Sequence, residues 1–123
     1  MSNPNILDGF IATKNDMTHK LADANGRDYL SILDNDNCLI QYWTPKSPDS
    51  QPPHDRDEVY IIIAGKADFE MNNEVRATGA SDLIFVPAGI PHRFVKCSSD
   101  LAMWIVFFGP HHEEFKKWRG KEY

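Results

Sequence analysis

From Tyr29 onward the apolar positions fall into short runs rich in β-branched and aromatic residues, each closed by turn formers. Such runs read as strands, because branched side chains pack well on a pleated surface and polar clusters end the ladder. "YLSIL" stops at "DNDN", and "CLIQYWT" follows before "PKSPDSQPP". Each proline there lacks the N–H that a ladder needs, so that segment is expected to be a loop, not a central strand. "EVYIIIAG" is the next strand. After Gly65, "KADFEM" and "EVRAT" flank Asn72-Asn73, an expected tight hairpin because Asn tolerates positive φ. "DLIFVPAG", "HRFVKC" and "LAMWIVFF" complete the set. Some eight short strands without a long helix predict an all-β sandwich or barrel.

The two ends are patterned differently. Met1 to Asp28 is polar, with an expected short strand over Phe10 to Thr13 and a helical turn after Asp16, which can cap "MTHKLADA". Near the C-terminus Phe115 and Trp118 lie three apart, as on one face of a short helix, with lysines late in it. One domain is expected: an arm over 1–28, a barrel over 29–108, and a tail or short helix over 109–123.

Charge and composition remove several function classes. A net charge of −5, with "KKWRGK" as the one short basic run, argues against a phosphate-binding surface for nucleic acid. No segment nears the ~18 apolar residues that a membrane span needs. The start lacks the charged-then-apolar order of a secretory signal, so a cytoplasmic protein with neither nucleic-acid nor membrane partners is expected. Cys38 and Cys97 belong to no C-x-x-C pair and are expected to be reduced thiols.

Candidate chemistry lies in two stretches, "QPPHDRDEVYIIIAG" and "SDLIFVPAGIPHRF". His54 and Glu58 stand four apart at the mouth of a strand, a spacing open to a metal site or to a solvated polar turn. The strand period of two puts Glu58, Tyr60 and Ile62 on one face, and His92 with Phe94 on another. If both strand mouths open on one cavity, His54, Glu58 and His92 meet there. Two imidazoles and a carboxylate match the facial set that holds non-haem Fe(II) and leaves positions open. Zn, Mn, Co, Ni or Cu would also be accepted by those donors.

These two stretches resemble the paired motifs of the cupin superfamily. His54 fits the second histidine of the first motif, Glu58 its glutamate and Gly65 its glycine. Pro87, Gly89 and His92 fit the second motif. Pro52 stands in place of the first metal histidine, Ser81 in place of a glycine and Lys96 in place of an asparagine. The resemblance, over about Cys38 to Phe108, implies a double-stranded β-helix or jelly-roll barrel and a homodimer, to whose partner the N-terminal arm could cross. Pro52 leaves a coordination position for water, substrate or Gln51. The implied function is a metal-dependent dioxygenase, isomerase or lyase acting on a small organic molecule, with Fe(II) the first choice of ion. The alternative is a small-ligand-binding module whose metal is structural or absent.

Several neighbours receive expectations of their own. Tyr60 is read as a pocket residue, a hydrogen-bond donor or proton carrier in catalysis, against the reading of a packed core tyrosine. Phe94 and Trp104 are candidate substrate-lining residues, against core packing. Asp55 and Asp57 are expected on a solvated rim, Asp57 beside Arg56, and Arg93 at the surface. Neighbouring side chains diverge on either a helix or a strand, so His111 and His112 are read as the exposed start of the terminal helix, not a chelating pair. His19 is placed at the surface too. Glycine-rich phosphate loops and nucleophile elbows are absent from the sequence.

Overall fold

A computed structural model describes residues 8–45 and 54–112, with the backbone alone for 49–51. Among the described residues one helix, α1 (Lys14–Ala22), precedes nine strands: β1 (Tyr29–Asp34), β2 (Cys38–Trp43), β3 (Asp49–Gln51), β4 (Asp57–Ala64), β5 (Lys66–Met71), β6 (Glu74–Gly79), β7 (Leu83–Val86), β8 (His92–Val95) and β9 (Ala102–Phe108). They form a five-stranded sheet, order β1-β2-β9-β4-β7, and a four-stranded sheet, order β3-β8-β5-β6. Every pairing is antiparallel. Two facing sheets built from strands distant in sequence make the jelly roll that the pattern and the resemblance anticipate.

Alternation along each strand sets what lies between the sheets. Tyr60, Ile62, Phe69, Ile84, Val86, Phe94, Met103, Ile105 and Phe107 form the central core. The opposite face of the five-stranded sheet carries a second cluster, where Met17 of α1 packs on Ile32, Tyr42 and Ala102. Removing such apolar area from water contributes roughly 25 cal/mol per Å². Thus α1 covers its own sheet.

The turns follow from local chemistry. Asn35 Oδ1 accepts from the N–H groups of Asn37 and Cys38 (2.8 and 3.0 Å), a side-chain-closed turn between β1 and β2. Asn72 and Asn73 adopt φ of 55° and 62°, as the hairpin between β5 and β6 requires.

Three expectations are corrected. Residues 9–13 form no strand. The helix begins two residues before Asp16, because Thr13 supplies the cap: its hydroxyl accepts the Asp16 N–H at 3.0 Å. Asp16 instead sits in the first turn, where its charge favours the helix dipole. The proline-rich connection is not wholly loop, since Asp49–Gln51 pair with β8. The edge strand β3 is Asp-Ser-Gln and contains no proline, so its own ladder lacks no donor. The expected helix around Phe115 and Trp118 lies outside the described residues, as does Pro52.

Ser81 and Lys96, the residues at the motif's glycine and asparagine positions, have φ of 78° and 53°. Both sit in left-handed backbone, which glycine and asparagine adopt at lower cost. Ser81 is exposed, while its N–H donates to Ile62 O at 2.8 Å and fixes that conformation. Ser81→Gly should therefore raise stability by up to about 1 kcal/mol, the relieved strain exceeding the entropy glycine adds to the unfolded chain. Urea unfolding checks this; a less stable variant would contradict it.

Candidate metal centre

The two motif stretches meet because their backbones are bonded to each other. Gly89, with φ of 84°, donates its N–H to His54 O at 2.9 Å. Ala88 N–H donates to Asp57 Oδ1 at 2.9 Å. The Pro87–Gly89 turn therefore holds the loop that carries His54 while its own end starts β8 at His92. Glu58 reaches the same place from β4, paired to Val86 on one side and Phe107 on the other.

His54, Glu58 and His92 each bring one ligand atom into a group whose members lie within 4.8 Å of one another. Glu58 Oε1 is 3.1 Å from His92 Nε2 and 3.8 Å from His54 Nε2. The Glu58 and His92 side chains are 1% and 0% exposed, and that of His54 is 20% exposed, so the group sits at a pocket floor with one imidazole toward the opening. The trio named from the sequence is thus brought together.

Hydrogen bonds assign the protons. His92 Nδ1 lies 2.8 Å from Ile90 O, and a carbonyl only accepts, so Nδ1 carries the hydrogen. The other ring nitrogen, Nε2, faces a carboxylate oxygen that has no hydrogen-bond partner among the described residues. An unprotonated Nε2 and a carboxylate oxygen 3.1 Å apart in a buried site repel unless a cation, a proton or a metal ion, is shared between them. A backbone carbonyl that fixes the tautomer and aims the other nitrogen inward is also how metal-bound histidines are oriented. The donor set fits a divalent ion.

Tyr60 stands beside this floor. Its hydroxyl is 3.0 Å from His92 Nε2 and also interacts with Glu58. Burial, then the charge and hydrogen bond of Glu58, hold the phenol well above its ordinary value of 10.0. It is therefore a proton-bearing donor near neutrality, never a resting base. That proton can turn to Glu58 and leave the imidazole lone pair to an ion.

Desolvation lowers the His54 pKa below its ordinary 6.5, against the raising pull of Glu58. The folded chain thus resists a proton that the unfolded chain accepts, so this residue contributes nothing above that value and destabilises as pH falls below it. Chelator-treated protein should lose stability as pH falls below 6.5 more steeply than His54→Gln does, as melting temperatures would show. Equal slopes would contradict the assignment.

A cavity of about 310 Å³ opens above the floor, lined by His54, Glu58 and Tyr60 together with Trp43, Ile105 and Phe107, and at its mouth Asp28, Tyr29 and Gln41. Phe94 and Trp104 are not among its walls. Phe94 is 1% exposed and lies deeper, against Trp43, Tyr60 and Phe69. Trp104 points to the other face of its sheet and meets Tyr42 edge-on at 5.2 Å. On β9 the inward parity belongs to Met103, Ile105 and Phe107, one residue off the expected choice. The wall residues missed were legible as parity partners on β2 and β9, once an inward residue on each was known.

The acids around His54 are also not a solvated rim. Asp55 is 5% exposed and takes the His111 Nδ1–H at 2.6 Å. Arg56 is buried and donates to Gly109 O and Asp36 O, so it does not pair with Asp57. His111 is therefore a tether, in non-helical chain, that pins the end of β9 beside the His54 loop. Arg93 is at the surface as expected, paired with Glu70 at 2.6 Å. Cys38 and Cys97 are free thiols.

Residues 41–108 match the family model described as "Cupin domain". An uncharacterized protein of Streptomyces coelicolor is 34% identical over 89 residues, covering 71% of this chain and 85% of that one. Among solved structures, a cupin-2 domain containing protein from Shewanella frigidimarina aligns with TM-score 0.63 at 16% identity, over 80% of this chain and 95% of that one. The DMSP lyase DddQ of Ruegeria pomeroyi aligns with TM-score 0.58 at 22% identity, over 66% of this chain. This chain spans 46% of that lyase, and at such identity the likeness concerns the fold. No helix among the described residues is long and apolar enough to cross a membrane.

Proposed function

The chain belongs to the cupin domain family, and from that premise we propose that it is a metal-dependent enzyme acting on a small organic molecule. The observation that carries this reading is the convergence of His54, Glu58 and His92 beside a pocket that His54 and Glu58 line and that has room for a ligand. Pockets that bind small molecules begin at about 300 Å³. These three side chains would hold a divalent ion, with Fe(II) the first candidate for two imidazoles and one carboxylate. When bound, such an ion polarises a ligand oxygen, lowers the pKa of water or supports oxygen chemistry.

The chain's own residues have distinct tasks. Glu58 would neutralise part of a bound ion's charge, and the Ile90 carbonyl keeps the hydrogen of the His92 ring on Nδ1. Tyr60 holds a proton on its phenol oxygen and can donate it, or a hydrogen bond, to a ligand oxygen at the floor. Trp43, Ile105 and Phe107 exclude water from the walls and favour a flat or apolar body.

The test is the metal content of protein purified without chelators, followed by turnover assays on small bidentate oxygen compounds. A stoichiometric ion with turnover supports the reading. A stoichiometric ion with binding but no turnover favours a ligand-binding module instead. A protein that takes up no divalent ion contradicts both forms of the metal reading.

A further inference from the structure

The walls and floor of the pocket do not carry the same charge as its mouth. With a divalent ion at the floor, one carboxylate and two neutral imidazoles leave a net positive centre. At the mouth the charged group is Asp28, and no Lys or Arg lines the cavity among the described residues. Asp28 is positioned by three hydrogen bonds from two residues. Its Oδ2 accepts the Trp43 Nε1–H at 3.1 Å, and its carbonyl accepts from Thr44 N and Oγ1 at 2.8 and 3.3 Å. Its other carboxylate oxygen, Oδ1, has no partner among the described residues. Tyr29 stands next to it at the rim, and its ring already takes the Arg27 guanidinium 5.8 Å from its centre.

We propose that Asp28 is a specificity residue that selects ligands carrying an ammonium or similar organic cation at the end remote from the metal. This rests on the proposed metal reading and adds the charge class of the ligand. A positive floor and a negative rim complement a molecule with oxygen donors at one end and a cation at the other. Phosphorylated or polycarboxylate ligands meet Asp28 as a like charge in a partly desolvated mouth. Asp28 touches the ligand and not the ion, so its effect falls on affinity and discrimination.

Three probes share one metal-binding head and differ only at the tail: dopamine (ammonium), 4-methylcatechol (neutral) and 3,4-dihydroxyphenylacetate (carboxylate). Their dissociation constants on the metal-loaded protein are measured by calorimetry, for wild type and Asp28→Asn. Asn keeps an oxygen for Trp43 Nε1–H, and circular dichroism checks that the fold is kept. Dopamine is expected to bind at least about ten-fold tighter than the carboxylate probe in wild type, the scale of one charge-assisted hydrogen bond. In Asp28→Asn that ratio should fall to within about two-fold, with 4-methylcatechol little changed. Equal affinity of the charged probes in wild type, or a ratio that survives Asp28→Asn, overturns the proposal and leaves the metal reading intact. Failure of all three probes on metal-loaded protein overturns it together with the open metal floor.

Discussion

His92→Ala is expected to lose tight binding of divalent metal while the barrel stays folded. The ring supplies a nitrogen lone pair whose direction is set by the bond from Nδ1–H to Ile90 O. Changing only the partner that orients a ligand costs 10–100-fold in metal affinity, so deleting the ligand should cost more than about 100-fold. The fold should survive because β8 is paired on both sides, to β3 and to β5, by backbone bonds that the substitution leaves in place. Tyr60 O–H can then serve Glu58, so the buried carboxylate is not stranded. Calorimetry on chelator-stripped protein, with far-ultraviolet circular dichroism as the control, reads both halves. His54→Ala, at a side chain that is 20% exposed, provides a second variant less prone to unfold. Unchanged metal affinity in either folded variant would count against the shared site.

Gly65→Ala should have the largest effect on stability. The glycine joins β4 to β5 at φ of 78°. A methyl group there would lie 2.6 Å from Leu101 N, Leu101 Cα and Ser98 Oγ. Two of those atoms are backbone, and the corner is locked by Lys66 N–H to Ser98 Oγ (2.8 Å) and Ser98 N–H to Lys66 O (2.9 Å). Nothing there can yield cheaply. Left-handed backbone costs an alanine about 1–2 kcal/mol and overpacking about 1–3 kcal/mol, so a loss of about 2–5 kcal/mol is expected. That is a large share of the ~5–15 kcal/mol that stabilises a domain. Urea denaturation measures it, and a loss below about 1 kcal/mol would show that the corner is softer than its bonds imply.

What the sequence revealed divides along physical lines. Glu58, Tyr60 and Ile62 were placed together because a strand's period of two is a backbone property that needs no partner, and all three are at most 1% exposed. His54 and His92 were legible through motif spacing, and the turn at Pro87–Gly89 explains why spacing sufficed: it bonds one motif to the other. Trp104 was misplaced because parity on β9 is fixed by register against β2 and β4, which is long-range information. Asp55 and Arg56 looked solvated because their partners, His111, Gly109 and Asp36, are remote in sequence. Edge strand β3 was hidden by flanking prolines, whose local signal says nothing of a ladder formed between them. Asp28 carried no motif at all; only the fold puts it over the pocket mouth.

The most direct measurement is anomalous diffraction from crystals of the chelator-stripped protein soaked in Co(II) or Mn(II). A single strong peak should lie about 2.0–2.3 Å from His54 Nε2, Glu58 Oε1 and His92 Nε2 at once. No peak at that point under saturating metal, or a peak bound by only one of the three, would contradict the account.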